Sequence, residues 1–165
     1  MPEGLLHKRM LRGAQNAQNC FLTSFQTETN MTAKYLWVLG SAIIFVLGTL
    51  HLFYTFFTNK FSSKNESLID EMKKSYPRLT RQTTMWKAWM GFNASHSSGA
   101  IFIGAINCYL AVKQFEWLQA DAFYMPFNIL TIGFYVWLAK KYWFKIPFAG
   151  IAACFVCYLL SYLLK

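Results

Sequence analysis

The sequence predicts an all-α polytopic membrane protein, an antiparallel four-transmembrane-helix bundle with a short amphipathic helix in its first connecting loop. Composition is the first observation behind this class. Of 165 residues, 55% are hydrophobic, 19% aromatic and only 14% charged, whereas a soluble domain carries about 25% charged residues. The length of the apolar runs and the placement of tryptophan and basic residues are the other two.

Four apolar runs are long enough to cross a bilayer, because a hydrocarbon layer of about 30 Å needs about 20 helical residues. The predicted spans are residues 35–57, 90–112, 121–139 and 146–164. The connections between the last three spans are short, so neighbouring helices are expected to pack antiparallel. All six tryptophans fall near predicted helix ends, which is typical of interfacial belts; they are Trp37, Trp86, Trp89, Trp117, Trp137 and Trp143.

The first connection, residues 58–89, is long enough to hold structure of its own. Ser63 and Glu66 have the spacing of a capping box, which predicts a short surface helix over residues 65–75. A second helix is expected to begin near Thr80 and to continue into the second span. This pattern places one amphipathic helix between the first two spans.

Residues 1–30 are polar and lack the apolar core of a signal peptide. We interpret them as a disordered tail or an upstream extension, with a short interfacial helix over residues 4–12 as the other reading. Residues 31–165 would then form a single four-helix membrane domain, whose natural start is Met31.

The formal net charge of +9 is concentrated beside the apolar runs, in the long loop and in residues 140–145. Clustering of this kind is typical of membrane-protein loops, so we expect the lipid bilayer as the partner and no nucleic acid. The positive-inside rule predicts that loops 58–89 and 140–145 are cytoplasmic and that both termini lie outside. The predicted location is a bacterial inner membrane.

Polar and small residues share one face of each predicted span at the helical period. Lipid offers no hydrogen bonds, so these faces are expected to turn toward one another. The stripes are Gly40, Ile44, Gly48, His51 and Thr55; Trp89, Asn93, His96, Ala100 and Asn107; Asp121, Tyr124, Asn128 and Tyr135; and Gly150, Cys154, Cys157, Tyr158 and Ser161.

The candidate site consists of His51 and His96, with Asn93 and Trp89 beside them. Both histidines lie about 9 Å inside the same leaflet at 1.5 Å per residue. Intramembrane ionisable residues are candidate functional groups. The pair could ligate a haem iron or another metal, could bind a lipid head group or a quinone, or could serve helix packing alone. Haem or metal is not required by the sequence, and the cofactor stays open.

Other motifs carry less chemistry. Cys154 and Cys157 form a CxxC, but it lies in mid-span rather than at a helix start, so we interpret both thiols as packing residues. Asp121 is the only acidic residue in a predicted span, which disfavours carboxylate-based proton coupling. No nucleotide-binding loop or metalloprotease motif is present, and whether the chain is an enzyme is left open.

The stretch "HLFYTFFTNKF" and the later "LTRQTTMWKAWMGFNASHS" resemble a family of small uncharacterised bacterial four-helix integral membrane proteins. The resemblance covers residues 31–165 and implies the fold without implying an activity. Three function hypotheses follow from the sequence. The first is a protein that binds a small ligand, lipid or quinone near the cytoplasmic leaflet. The second is a structural or accessory subunit with a membrane-protein partner or a second copy of itself. The third is a small bis-histidine haem or metal protein.

Overall fold

A computed structural model gives the fold. It describes the backbone of residues 3–165 and the side chains of Asn19 and of residues 21–165. Across these residues the chain is entirely helical outside its turns and loops, which confirms the all-α class. The helices are α1 (Glu3–Phe57), α2 (Glu66–Lys74), α3 (Met85–Lys113), α4 (Phe115–Ala120), α5 (Tyr124–Tyr142) and α6 (Lys145–Leu163).

Helix α2 lies where the loop helix was predicted, but the predicted capping box is wrong. The residue that caps the helix is Asn65, whose side-chain oxygen accepts a hydrogen bond from the Ser67 amide at 3.1 Å. Ser63 instead accepts from the Asn65 amide at 3.0 Å and so shapes the turn before the helix. An asparagine is as good an N-cap as a serine, and the later residue of the two is used.

Two other helix starts differ from prediction. Helix α3 begins at Met85 rather than near Thr80, because Thr84 provides the cap by accepting from the Lys87 amide at 3.3 Å. Helix α5 begins at Tyr124, since Asp121 accepts hydrogen bonds from two following amides and holds the chain in a turn. The six-residue helix α4 was not predicted; it buries Phe115 and Leu118.

Residues 1–30 were interpreted as a disordered tail or an upstream extension. Most side chains of this segment lie outside the described residues, so that interpretation stays a prediction. Where the side chains are described, residues 21–30 are helical and continue into the rest of α1 without a break. Asn30 accepts a hydrogen bond from the Gln119 side chain at 3.1 Å, which ties this part of α1 to α4. The suggested start at Met31 stays a prediction.

The long helices pack with neighbours in opposite directions. Helix α1 lies against both α3 and α6, and α6 also lies against α5. Lys34, early in α1, donates to the carbonyl oxygen of Val112 late in α3 at 3.2 Å, and Ser161, late in α6, donates to the carbonyl oxygen of Ala33 at 2.6 Å. The side chains of α3 and α5 meet across the remaining side.

Helices α1 and α3 approach closely because Gly104 has no side chain. A Cβ built at Gly104 would lie 2.7 Å from the backbone nitrogen of Phe45, which is far inside van der Waals contact. The predicted inward stripes are confirmed by burial, since most of their members are buried or half-buried. Small residues therefore bring the backbones together along the expected faces.

Two helices in the described chain are long and apolar enough to cross a membrane. They are the Phe21–Phe57 part of α1 and all of α6. Helices α3 and α5 were also predicted to span. Their apolar character is diluted by inward polar residues such as Asn93, His96 and Asn107 in α3 and by two lysines in the last turn of α5.

Candidate functional site

The polar interior has two ends of different character. We call the end near α4 the closed end; it contains Trp37, Ser41, Asn107, Asn128 and Tyr158. We call the end near the α1–α3 and α5–α6 connections the open end; it contains His51, Trp89, Asn93 and His96. The two ends lie on the same inward faces of the long helices.

At the closed end, Asn107 of α3 joins α1 to α5. Its side-chain oxygen accepts from the Trp37 indole N–H at 3.0 Å, and its amide nitrogen donates to the Asn128 side-chain oxygen at 2.8 Å. Both asparagine amides also donate to a carbonyl oxygen one turn earlier in their own helix. The three side chains are buried, and their hydrogen-bonding groups are matched.

Helix α6 joins this end through Tyr158. Its ring stacks on Trp37 with centroids 4.0 Å apart, and its hydroxyl is 2.9 Å from the Ser41 hydroxyl. Trp37 is 0% exposed, so its predicted place in an interfacial belt is wrong. It lies two helical turns before Ile44 on the same inward face, and the helical period could have identified it.

The open end contains a partly open cavity of about 370 Å³. Its wall includes all four predicted site residues, His51, Trp89, Asn93 and His96. The two histidine rings face each other edge to face with centroids 5.6 Å apart. The structure therefore brings together the residues that the sequence proposed as one site.

Asn93 fixes the orientation of His51. The Asn93 amide nitrogen donates to the carbonyl oxygen of Trp89 at 2.8 Å, which leaves its side-chain oxygen facing His51 Nε2 at 3.1 Å. An amide oxygen can only accept, so Nε2 carries a hydrogen. In a neutral imidazole the other nitrogen, Nδ1, is then an acceptor.

His96 is held by rings rather than by hydrogen bonds. Its ring meets Tyr135 and Trp143 edge to face, at centroid distances of 5.7 and 5.0 Å. Within the described chain it forms no hydrogen bond, and no buried side-chain nitrogen or oxygen there lacks a partner. Because the His96 nitrogen atoms have no partner, they are not among the fully buried atoms and must be accessible. The open space that the His96 ring lines is the cavity.

Several cavity residues were not predicted as site residues. Phe61, in the loop after α1, lies 4.5 Å from the His51 ring centroid, and Trp143 covers His96 from the α5–α6 connection. Both lie beyond a helix end, where helical periodicity says nothing about direction. Tyr135 was placed on the inward stripe of its span, but its approach to His96 depends on tertiary packing.

The donor set at this end is small for a metal. In the part of the chain that the structure describes, no group of three or more His, Cys, Asp or Glu side chains could hold a metal ion. His51 Nε2 is directed at Asn93, so only its Nδ1 is free for a ligand. Donation of the other N–H to an oxygen is common for metal-bound histidine. Among the described residues, however, His96 is the one further histidine, cysteine or carboxylate in the cavity wall.

Cys154 and Cys157 lie on α6 away from the cavity wall, and both are free thiols. Cys154 is buried against α1, where its carbonyl oxygen lies beside Gly40.

Comparison with protein-family models, with curated proteins and with solved structures finds no match to this chain. The resemblance suggested by the sequence therefore stays a prediction.

Proposed function

We propose that the chain is an integral membrane protein of four spans that binds a small uncharged amphiphile, a quinone or a lipid, in the open-end cavity. The membrane part is supported by the exposure of the apolar helices. Only 28% of the apolar window in α1 and 22% of that in α6 is buried. A core helix of a soluble protein would hide most of such a surface.

Helices α3 and α5 are proposed to span because they flank α1 and α6 at the same level. Each presents large apolar side chains outward, among them Phe102 and Tyr109 on α3 and Phe127, Leu130 and Phe134 on α5. Their asparagines and His96 are buried or half-buried, on the side where the other helices cover them. With the basic loops 58–89 and 140–145 on the cytoplasmic side, the open end lies near the cytoplasmic leaflet.

The observation that carries the binding proposal is the cavity itself. Its volume lies at the lower end of the range for known ligand pockets, about 300–1,000 Å³. Its wall is aromatic, with a few convergent polar atoms. None of its lining residues carries a permanent charge. The histidine nitrogen atoms without partners are the groups that a ligand would satisfy. A packing role alone leaves these polar atoms unpaired beside an open cavity.

Binding is tested by quenching of tryptophan fluorescence with decylubiquinone, since Trp89 and Trp143 line the cavity. We expect saturable quenching in the detergent-purified protein and about tenfold weaker binding in His96→Ala, because one polar wall contact is lost. Ser98→Ala is the matched control, as Ser98 lies on the exposed side of the same helix. Equal affinity in His96→Ala would contradict the proposed site.

The remaining hypotheses predict different results from absorption and binding measurements on the same purified protein. A haem absorption band lost in both His51→Ala and His96→Ala would replace the proposal with a small membrane cytochrome. Absence of binding by decylubiquinone and by cholesterol, in a folded protein without haem or metal, would favour a structural or accessory subunit.

A further inference from the structure

The open-end cavity has a lateral mouth between α1 and α6. These helices are in contact where a Cβ built at Gly150 would lie 2.8 Å from Leu47 Cδ1. One turn closer to the α5–α6 connection, Leu50 and Ile146 line the cavity although they are 44% and 74% exposed. The cavity therefore reaches the outer surface between the two helices, beyond the Leu47–Gly150 contact.

The rim of this mouth is apolar. Phe144, which also lines the cavity, is 59% exposed and is separated from Ile146 by the exposed Lys145, which does not line the cavity. No lysine or arginine lines the cavity, so its wall offers no cationic side chain to a charged head group such as a phosphate. The first turn of α6 adjoins the mouth, but Pro147 there has no N–H to donate. The mouth is therefore suited to an apolar chain that enters from the hydrocarbon layer.

The polar part of the cavity favours a head group that donates a hydrogen bond. His51 Nδ1 is an acceptor because Asn93 holds the hydrogen on Nε2. Nδ1 forms no hydrogen bond in the described part of the chain, where every buried side-chain nitrogen or oxygen is partnered. Nδ1 is therefore accessible, and His51 is one of the residues that line the cavity.

Flat aromatic rings form much of the cavity wall. Trp89, Tyr135 and Trp143 line the cavity together with His96. Aromatic walls favour planar partners through stacked and edge-to-face contacts. A hydroxyl on a ring satisfies both conditions, since it offers a donor to Nδ1 and a flat body to the walls.

Resting on the proposed function, we infer that the ligand is an amphiphile with a ring hydroxyl, which enters from the bilayer between α1 and α6. The hydroxyl donates to His51 Nδ1, and the apolar tail leaves past Leu50 and Ile146. Reduced quinones and sterols share this chemistry. Asn93 is a positioning residue, because it acts on the ligand through His51.

The donor requirement is tested by competition against decylubiquinone quenching, under anaerobic conditions. Decylubiquinol is expected to displace decylubiquinone with a Kd about tenfold below the Kd that direct titration gives for decylubiquinone, because only the quinol donates a hydrogen bond. Cholesterol in a parallel titration distinguishes a sterol-type ligand from a quinol. If decylubiquinol and cholesterol both bind no more tightly than decylubiquinone, the assignment of His51 as an acceptor is overturned.

Asn93→Leu supplies the readout for the positioning role. Loss of the Asn93 oxygen releases the hydrogen on His51 Nε2, so the imidazole can present either nitrogen as donor. The ratio of the decylubiquinone Kd to the decylubiquinol Kd is expected to fall close to one, while decylubiquinone still binds. A purely structural role for Asn93 would weaken both ligands by the same factor and would overturn this step.

The lateral mouth is tested by kinetics in phosphatidylcholine vesicles that contain decylubiquinone. Ile146→Trp and Leu50→Trp narrow the mouth, so association and dissociation should both slow by about tenfold with little change in the equilibrium constant. Val156→Trp is the matched control, because Val156 is an exposed residue of α6 outside the cavity wall. Unchanged rates in both mouth variants would overturn the route.

These outcomes separate the inference from the proposal beneath it. If decylubiquinone and cholesterol fail to bind the wild type, the proposed function fails. If a probe binds and depends on His96 but ignores Leu50 and Ile146, the cavity is a binding site that is reached by another path.

Discussion

The closed end and the open end contain similar polar residues, but these residues form different interactions. At the closed end, Trp37, Asn107 and Asn128 pair with one another across three helices. At the open end, His51 pairs with Asn93, while His96 faces a cavity of about 370 Å³. Polar residues on inward faces therefore do not by themselves indicate a binding site.

Pairing between helices is what separates the two ends. A polar group that is buried away from water without a hydrogen-bond partner costs several kcal/mol. The closed end avoids this cost by matching donors and acceptors. The open end leaves nitrogen atoms for another molecule to satisfy, and the proposed ligand is that molecule.

The largest effect is expected from Asn107→Leu, which breaks the closed end. The Trp37 indole and the Asn128 oxygen would both lose their partner, at about 1–3 kcal/mol for each buried group. Unfolding by SDS in mixed micelles should therefore show a loss of about 2–6 kcal/mol. Tyr109→Leu, on the exposed side of the same helix, serves as the control. Similar losses in the two variants would contradict the network.

The contact between α1 and α3 is tested next by Gly104→Ala. The new methyl group would lie 2.7 Å from the Phe45 backbone, so we expect overpacking to cost about 1–3 kcal/mol. Gly99 has no neighbouring atom within 4 Å of a built Cβ. Gly99→Ala should be neutral or stabilising in the same unfolding measurement, and a comparable loss there would argue against this packing.

Two buried serines allow the same substitution at each end. Ser41 contacts the Tyr158 hydroxyl on another helix, so Ser41→Ala should destabilise by about 1–3 kcal/mol. Ser97 donates only to the Asn93 carbonyl of its own helix at 2.7 Å, so Ser97→Ala should change stability by about 0.5 kcal/mol or less. A larger loss in Ser97→Ala than in Ser41→Ala would reverse the comparison.

The sequence predicted the main apolar helical stretches and their inward faces, because both follow from length and a period of 3.6 residues, but it missed the six-residue α4. It paired His51 with His96 from their equal depth alone. It misplaced Trp37, since a tryptophan near a helix end fits either an interfacial belt or the interior. It missed Phe61 and Trp143, which reach the cavity from connections whose direction no periodic pattern encodes. The N-cap of α2 was predicted wrongly because Ser63 and Asn65 are both favourable N-cap residues.

The most direct test measures stability and binding together in His96→Ala. His96 forms no hydrogen bond to the described residues but packs edge to face on Tyr135 and Trp143. We therefore expect the free energy of unfolding to fall by about 1–3 kcal/mol through the two lost ring contacts, while decylubiquinone quenching weakens by about tenfold. Such a result would assign the open end to binding. A loss of stability as large as that of Asn107→Leu, with decylubiquinone affinity unchanged, would contradict this account and make His96 a packing residue.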